Sequence, residues 1–464
     1  AKAGEVLPTP ASPFGQTYGF DNAIGHGFQE ASIVMGAYER DDYRDGKPEM
    51  VTFFGGYFYI NMSCVRMQAV RNPAITVEQL DLAFFGDRPD TPPYEPHPLD
   101  EKPHLQEKID AHMQFVLTTT EWPELDAEKK LAEQIRIERP ALEQLSETEI
   151  VERIRYLHPL IREFTTNQMV AATSSAIPPG MFAVVAEAID DPTMPMRVLA
   201  GLGDVDSAAP SFALWDLSRL VRNNKDLTEA FDEGIDGLLE RVGALTSSPS
   251  LQFIKDFADF IFNYGSRGPN EWELSAQTWE TDPDIPLKTI DQVRRQNDDK
   301  NPLIGAQKSS EEREHLIASV RSKLNEIGDE ELSGVFEGAL VGGNQMVFRE
   351  RAKTSLVRVL HESRMGIREL GRRHTTEGNI GALEHIFMLL DEELEGFIAD
   401  PRSFTEILEE RYADWKRLWD LTPPFFIRDG VIPPLTEWVK ASEGVTATAL
   451  EGATLPGTAG RPGA

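Results

Sequence analysis

Two cations stand one helical turn apart in Arg349-Glu350-Arg351-Ala352-Lys353. They fall inside residues 345–372, whose apolar spacing predicts one long helix. At about 100° per residue, Leu356, Leu360 and Ile367 share an azimuth to within about 20°; Arg349 lies on it, and Lys353 is about 40° away. Arg351, Arg358, Glu362 and Glu369 fall on the far side, where solvent is expected. Both cations therefore point along the face the helix should bury. Unpaired buried charge is strongly unfavourable, so each needs an anion. Protein carboxylates would make this a structural ion pair. A ligand phosphate would make it a phosphoryl site, because a planar guanidinium beside a point-charge ammonium suits oxygens that share spread negative charge.

A second patterned stretch is 251–264. Phe253, Phe257, Phe260, Ile261 and Tyr264 recur at helical spacing and make one aromatic face. Such a stripe is either core or the wall of a pocket for a flat ligand. Other chemistry lacks its motifs. No Walker-type phosphate loop is present, and Gly201-Leu202-Gly203-Asp204-Val205-Asp206 lacks the third glycine of a dinucleotide fingerprint. The nine histidines show no HExxH or similar ligand spacing, so no metal site is assigned. There is no GxSxG elbow, and a single cysteine, Cys64, excludes an intrachain disulfide framework and a Cys-rich zinc site. If the protein handles phosphate, the phosphate arrives from elsewhere.

The elements that must position these residues are mostly helices. The chain has 464 residues, with 46 basic and 77 acidic side chains and a formal charge of −31. That acid excess argues against nucleic acid and anionic membrane surfaces. No apolar run approaches the roughly 20 residues that span a bilayer, and the simplest reading is a soluble, cytoplasmic protein. Residues 1–100 form an N-terminal segment in which Thr52-Phe53-Phe54 and Tyr57-Phe58-Tyr59-Ile60 flank Gly55-Gly56 as a short hairpin packed on the rest. A proline cluster from Pro89 to Pro98 then forbids regular structure. Residues 101–440 read as helical, with breaks near 176–180, 204–210, 263–285 and 298–310. Residues 441–464 have linker composition, which predicts a further domain beyond them. The fold class expected is mainly α: a large helical domain with a small β element near the N-terminus.

The stretch Tyr264-Gly265-Ser266-Arg267-Gly268-Pro269-Asn270-Glu271-Trp272-Glu273-Leu274-Ser275, followed by Trp279 and Asp282-Pro283, resembles the central domain of the phosphoenolpyruvate-synthase-like phosphotransferases. That family includes rifampin phosphotransferase and the phenylphosphate and 4-methylbenzyl-phosphate synthases, and typically carries a GHRGxxE(W)(D/E)L-type segment. Other stretches follow in the family's order: Gly4-Glu5-Val6-Leu7-Pro8, Tyr59-Ile60-Asn61-Met62-Ser63, Leu199 to Asp204, Arg349 to Lys353, and His385-Ile386-Phe387 through Leu394. The resemblance runs from about 4 to 440. Ser266 stands where relatives often have His, which puts any acid–base role there in doubt.

The resemblance implies a division of labour. An ATP-grasp domain or subunit, which would hold ATP and Mg, phosphorylates a histidine on a small swivelling domain. That domain carries the phosphoryl group to a hydroxyl-bearing acceptor in the central domain. No cofactor is assigned to this chain. The swivelling domain would open near Thr454-Leu455-Pro456-Gly457. Arg349 and Lys353 would be catalytic, Arg267 and Glu271 would contact phosphate or partner, and Phe257, Phe260 and Trp272 would line the acceptor pocket. Glu271, Glu5 and His361 are the candidate general bases. The expected activity is phosphorylation of a small aromatic hydroxyl compound such as a phenol or cresol. The alternatives are a rifamycin-type antibiotic phosphotransferase domain and a non-catalytic helical scaffold for a ligand or partner.

Overall fold

A computed structural model describes residues 1–442 except 5, 45, 73–75, 99, 203–205 and 429, with the side chain of residue 83 also left aside. Glu5, Gly203-Asp204 and the expected start of the swivelling domain lie outside the described residues. The protein is mainly α, with a small β element near the N-terminus. Helices Glu147–Ser174 and Asn344–Thr376 are the long central pair, and Gly25–Val34 and Pro123–Ile137 pack against them. Their shared core is aliphatic and aromatic: Ile150, Ile154, Phe164, Leu356, Leu360 and Ile367 are all essentially inaccessible.

Two smaller apolar clusters sit on this frame. One joins helices Ala209–Arg222, Ser248–Tyr264 and Asp284–Arg294 around Phe231, Phe253 and Leu287. The other joins Ile177–Ala188, Met194–Ala200, Pro302–Ile327 and Glu330–Gly342 around Phe182 and Phe336. The breaks between helices fall where proline and glycine occur: Pro178, Pro210 and Pro302 each lie in a first turn, where no N–H is needed.

The hairpin forms as its sequence dictates. Strands Val51–Phe54 and Tyr57–Ile60 pair antiparallel, and Gly55 and Gly56 take φ of 53° and 75°, which side chains with a Cβ avoid. Three expectations need correction. The N-terminal segment holds more helix than the hairpin reading allowed: a π-helical Gly15–Ile24 leads into Gly25–Val34, and Met62–Arg71 and Val77–Phe85 follow. Glycines at 15, 19, 25 and 27 dilute the helical pattern there. At the other end, the last long helix ends at Leu418 rather than near 440, with a single 3-10 turn at Leu435–Glu437 beyond it. Leu421–Thr422 and Val439–Lys440 pair instead, and the Tyr57 and Tyr59 hydroxyls donate to the carbonyls of Leu418, Leu421 and Pro424. Finally, Glu147–Ala188 is long and apolar enough by composition to cross a membrane. Phe164, Val170, Ala171 and Phe182 in that stretch are buried in the protein's own cores.

One buried acid has a clear consequence for stability. Glu128 faces inward from Pro123–Ile137, Asn167 Nδ2 donates to its Oε1 at 2.7 Å, and its Oε2 has no partner among the described residues. Burial, opposed by that hydrogen bond and reinforced by Glu163 and Glu124, pushes the carboxyl up to about 8. The folded state therefore holds a proton that the unfolded chain releases, so this group withdraws stability as pH rises from the ordinary carboxylate range through 8. Glu128→Gln is expected to raise the melting temperature at pH 8 by several degrees and to change it little at pH 5. Thermal unfolding at the two pH values checks this; equal shifts at both would show that the carboxyl is ionised in the fold.

Candidate functional site

The Tyr264–Ser275 motif forms the irregular crossing that follows helix Ser248–Tyr264. It doubles back on itself: Trp279 N–H donates to the Arg267 carbonyl at 2.8 Å and Glu280 N–H to the Gly265 carbonyl at 3.0 Å. Gly268 lies so close to the returning strand that a Cβ would meet the Gln277 carbonyl oxygen at 2.6 Å, so a larger residue there would push the two passes apart.

Arg364 of the long helix fixes this loop onto the core. It is wholly buried. Nε donates to the Leu274 carbonyl at 3.1 Å, and Nη2 donates to the carbonyls of Glu271 at 2.8 Å and Glu273 at 3.0 Å. Its Nη1 lies 3.1 Å from His361 Nδ1. An arginine only donates, so Nδ1 accepts, and the ring proton sits on Nε2, which donates to Glu280 Oε2 at 2.7 Å. Burial drives the His361 pKa down to about 4, leaving the ring neutral and both nitrogens committed. Burial likewise lowers Arg364 to about 10, against the pull of Glu273 and Glu271.

Glu273 ties the same loop to the N-terminal segment. Its Oε1 accepts from Ser12 Oγ at 2.5 Å, from Ser12 N–H at 3.3 Å and from Ser275 N–H at 3.1 Å. Its Oε2 has no partner among the described residues, and burial raises its pKa. Behind His361, Glu280 and Glu362 are clasped by arginines. Arg139 reaches Glu280 at 2.6 Å and Glu362 at 2.6 Å, Arg136 reaches Glu280 at 3.0 Å, and Arg153 reaches Glu362 at 3.0 Å. Burial opposes ionisation of Glu280, but His361 and Arg139 outweigh it and hold the carboxyl well below its usual range. Glu362, expected to face solvent, is only 2% exposed. The helix is buried on several sides, so its wheel has no simple outer face.

The motif and the long helix bring three of the sequence-named residues together. The carboxylate of Glu271, 6% exposed, receives Arg267 Nε at 2.9 Å on one oxygen and Lys353 Nζ at 3.0 Å on the other. Arg267 Nη1 also reaches Thr354 Oγ1 at 3.5 Å. Arg349 lies one turn away, about 6 Å along the axis, and pairs with its neighbour Glu350 at 3.0 Å. Contrary to the wheel, Arg349 is not buried: its side chain is 41% exposed, against 29% for Lys353 and 17% for Arg267. The cluster thus grades from a buried carboxylate to an open cationic rim.

The aromatic residues are placed differently. Phe257 and Phe260 are core: Phe257 stacks on Phe253 at 5.8 Å between centroids and Phe260 on Trp279 at 5.4 Å, all within the second apolar cluster. Trp272 is half-buried against the main core. Sequence reasoning missed Arg364, Glu273 and the Glu280–Glu362 network. Arg364 was detectable, since it lies about 60° from the Arg349 azimuth on the same wheel.

Comparison with known proteins finds a similarity over one segment of the chain. No curated protein matches the chain. Residues 163–341 match the family described as rifampicin phosphotransferase fourth domain, which takes in both smaller apolar clusters and the Arg267–Glu271 motif and stops just short of Arg349. That segment is similar to the fourth domain of rifampicin phosphotransferase, which is consistent with the central domain of a phosphoenolpyruvate-synthase-like phosphotransferase.

Proposed function

We propose that this chain is the acceptor-binding and catalytic part of an ATP-dependent phosphotransferase. It would receive a phosphoryl group from a phosphohistidine on a swivelling domain and pass it to the hydroxyl of a small aromatic substrate. ATP and Mg belong, on this reading, to a partner ATP-grasp domain or subunit. The observation that supports it is the convergence of Arg267 and Lys353 on Glu271 with Arg349 one turn away, three cations against the carboxylates of Glu271 and Glu350.

In the transfer, the phosphorus–nitrogen bond of the phosphohistidine breaks as the acceptor oxygen bonds to phosphorus. Arg349 and Lys353 neutralise the equatorial oxygens, so catalysis is mostly positioning and electrostatics. The acceptor proton goes to Glu271, because both nitrogens of His361 are already used. A phenol, with a pKa of about 10, needs only modest assistance to give that proton up, and Lys353 and Arg267 supply it by stabilising the oxyanion. With Phe257 and Phe260 occupied in packing, Trp272, next to Glu271 in the chain, is the aromatic residue assigned to the acceptor.

The name of the matched family favours a second acceptor class, a rifamycin-type antibiotic. The experiment is mass spectrometry of acceptors after incubation with ATP, Mg and the ATP-grasp and carrier proteins of the source cell. Phosphorylated phenol or p-cresol is the expected result, and phosphorylated rifampicin would move the substrate to the antibiotic class. A phosphorylated carrier that transfers to neither would overturn the proposal and leave a ligand-binding scaffold.

A further inference from the structure

A second cationic site lies at the other end of the long helix. Arg368 is 15 positions beyond Lys353, about 22 Å along the helix axis, so it is separate from the Glu271 cluster. It lines a cavity of about 340 Å³ whose walls are the turn from Arg139 to Glu143, the helix face carrying Met365, Glu369 and Arg372, and Leu383.

The other cations around this cavity are engaged. Arg139 is bound by Glu280 and Glu362, and Arg372 by Glu369 at 2.7 Å. Arg373, on the same turn, is held by Glu369 at 2.8 Å and by the Leu142 carbonyl at 2.8 Å. Arg368 differs. Its Nη1 is buried and meets no hydrogen-bond acceptor among the described residues. Glu384 acts on it only through space. Among the described residues, Arg364 and Arg313 also lack an ion pair but donate to backbone carbonyls, whereas Arg368 has neither a carboxylate nor a carbonyl partner for Nη1. A buried donor without an acceptor is unfavourable by itself, and an oxyanion seated in the cavity would give the guanidinium as a whole the charge-assisted partner that it lacks among the described residues.

The rest of the lining sets the ligand's other half. Pro140, Leu142, Met365 and Leu383 give an apolar wall, and the volume sits at the lower end of small-molecule sites. We propose that this cavity binds a small molecule with one oxyanion, carboxylate or phosphate, on a compact apolar body, and that Arg368 is the residue that recognises the anion. The turn carbonyl of Leu142 is already taken by Arg373, and Glu143 and Glu369 present carboxylates that would repel an anion, so the oxyanion is assigned to Arg368, the lining cation without a carboxylate partner among the described residues.

The test is calorimetric titration of the whole chain with benzoate and, separately, phenyl phosphate. Wild-type protein is expected to bind one or both, and the stronger of the two identifies the anion class. Arg368→Met is expected to weaken that binding at least tenfold, as loss of a charge-assisted hydrogen bond should. The same Arg368→Met protein should unfold at an equal or higher temperature, because an unpartnered buried donor has been removed. Absence of binding by wild-type protein at about 10 mM of either probe, a millimolar threshold marking only weak affinity, would overturn the proposal. So would equal binding by wild-type and Arg368→Met, or a melting temperature lowered by several degrees, since each would make Arg368 a structural residue.

Discussion

Arg364→Met is expected to destabilise the protein by about 3–5 kcal/mol, the loss typical of breaking a buried charged network. The side chain is wholly buried and donates to three backbone carbonyls and to His361. Truncating it strips this donor from the carbonyls of Glu271 and Leu274, each at a cost of about 1–3 kcal/mol, and leaves the Glu273 carbonyl with the Ala276 N–H at 3.1 Å. The loop would then loosen from the long helix, and Glu271 would no longer be held where Lys353 and Arg267 meet it. Arg364→Lys should recover little, because a single ammonium cannot span acceptors that a planar fork reaches from Nε, Nη1 and Nη2 at once. Urea unfolding followed by circular dichroism gives the numbers. A lysine variant within about 1 kcal/mol of wild type would show that charge, rather than the fork, holds the loop.

What the sequence made legible, and what it hid, follows from how each feature is encoded. The hairpin was readable because strand pairing at Gly55-Gly56 is a local matter of backbone dihedrals. The long helix was readable because Leu356, Leu360 and Ile367 recur at helical spacing. Glu362 was misplaced because the same helix packs simultaneously against Pro123–Ile137, Glu147–Ser174 and the motif loop, so a single apolar azimuth does not divide buried from exposed. The partners that keep Glu362 inside, Arg139 and Arg153, lie more than 200 residues away in the chain, with |i−j| of 223 and 209. No window of local sequence contains that information. The aromatic stripe from Phe253 to Tyr264 is ambiguous in principle, since a core and a pocket wall demand the same spacing. Its burial and its stacking, Phe257 on Phe253 and Phe260 on Trp279, assign it to core. The convergence of Arg267, Glu271 and Lys353 stands between these cases: each residue was singled out in sequence, but the carboxylate that joins the two cations is a fact of tertiary structure.

Arg349→Ala is the sharpest probe of the proposed transfer, because it removes a cation that the fold does not need. The side chain is 41% exposed and, among the described residues, pairs only with the adjacent Glu350. A surface pair of this kind contributes about 0–1 kcal/mol, so stability should barely change. If Arg349 neutralises the transferring phosphoryl oxygens, phosphoryl transfer should fall by about 10²–10³-fold, as for loss of one preorganised charge in a catalytic site. Lys353→Ala should be at least as damaging to transfer, but it also strips one of two partners from the buried Glu271 carboxylate, so a stability loss of about 1–3 kcal/mol should accompany it. The two variants separate structure from chemistry. A purely structural role predicts that the Lys353→Ala defect vanishes well below its unfolding transition and that Arg349→Ala is fully active. A catalytic role predicts defects that persist at every temperature below unfolding, with partial rescue of Arg349→Ala by added guanidinium, which can enter a site this open. Single-turnover transfer from the phosphorylated carrier is the measurement, since it excludes the upstream ATP step. Full activity in Arg349→Ala would remove this arginine from the mechanism and return the Arg267–Glu271–Lys353 cluster to a structural ion pair.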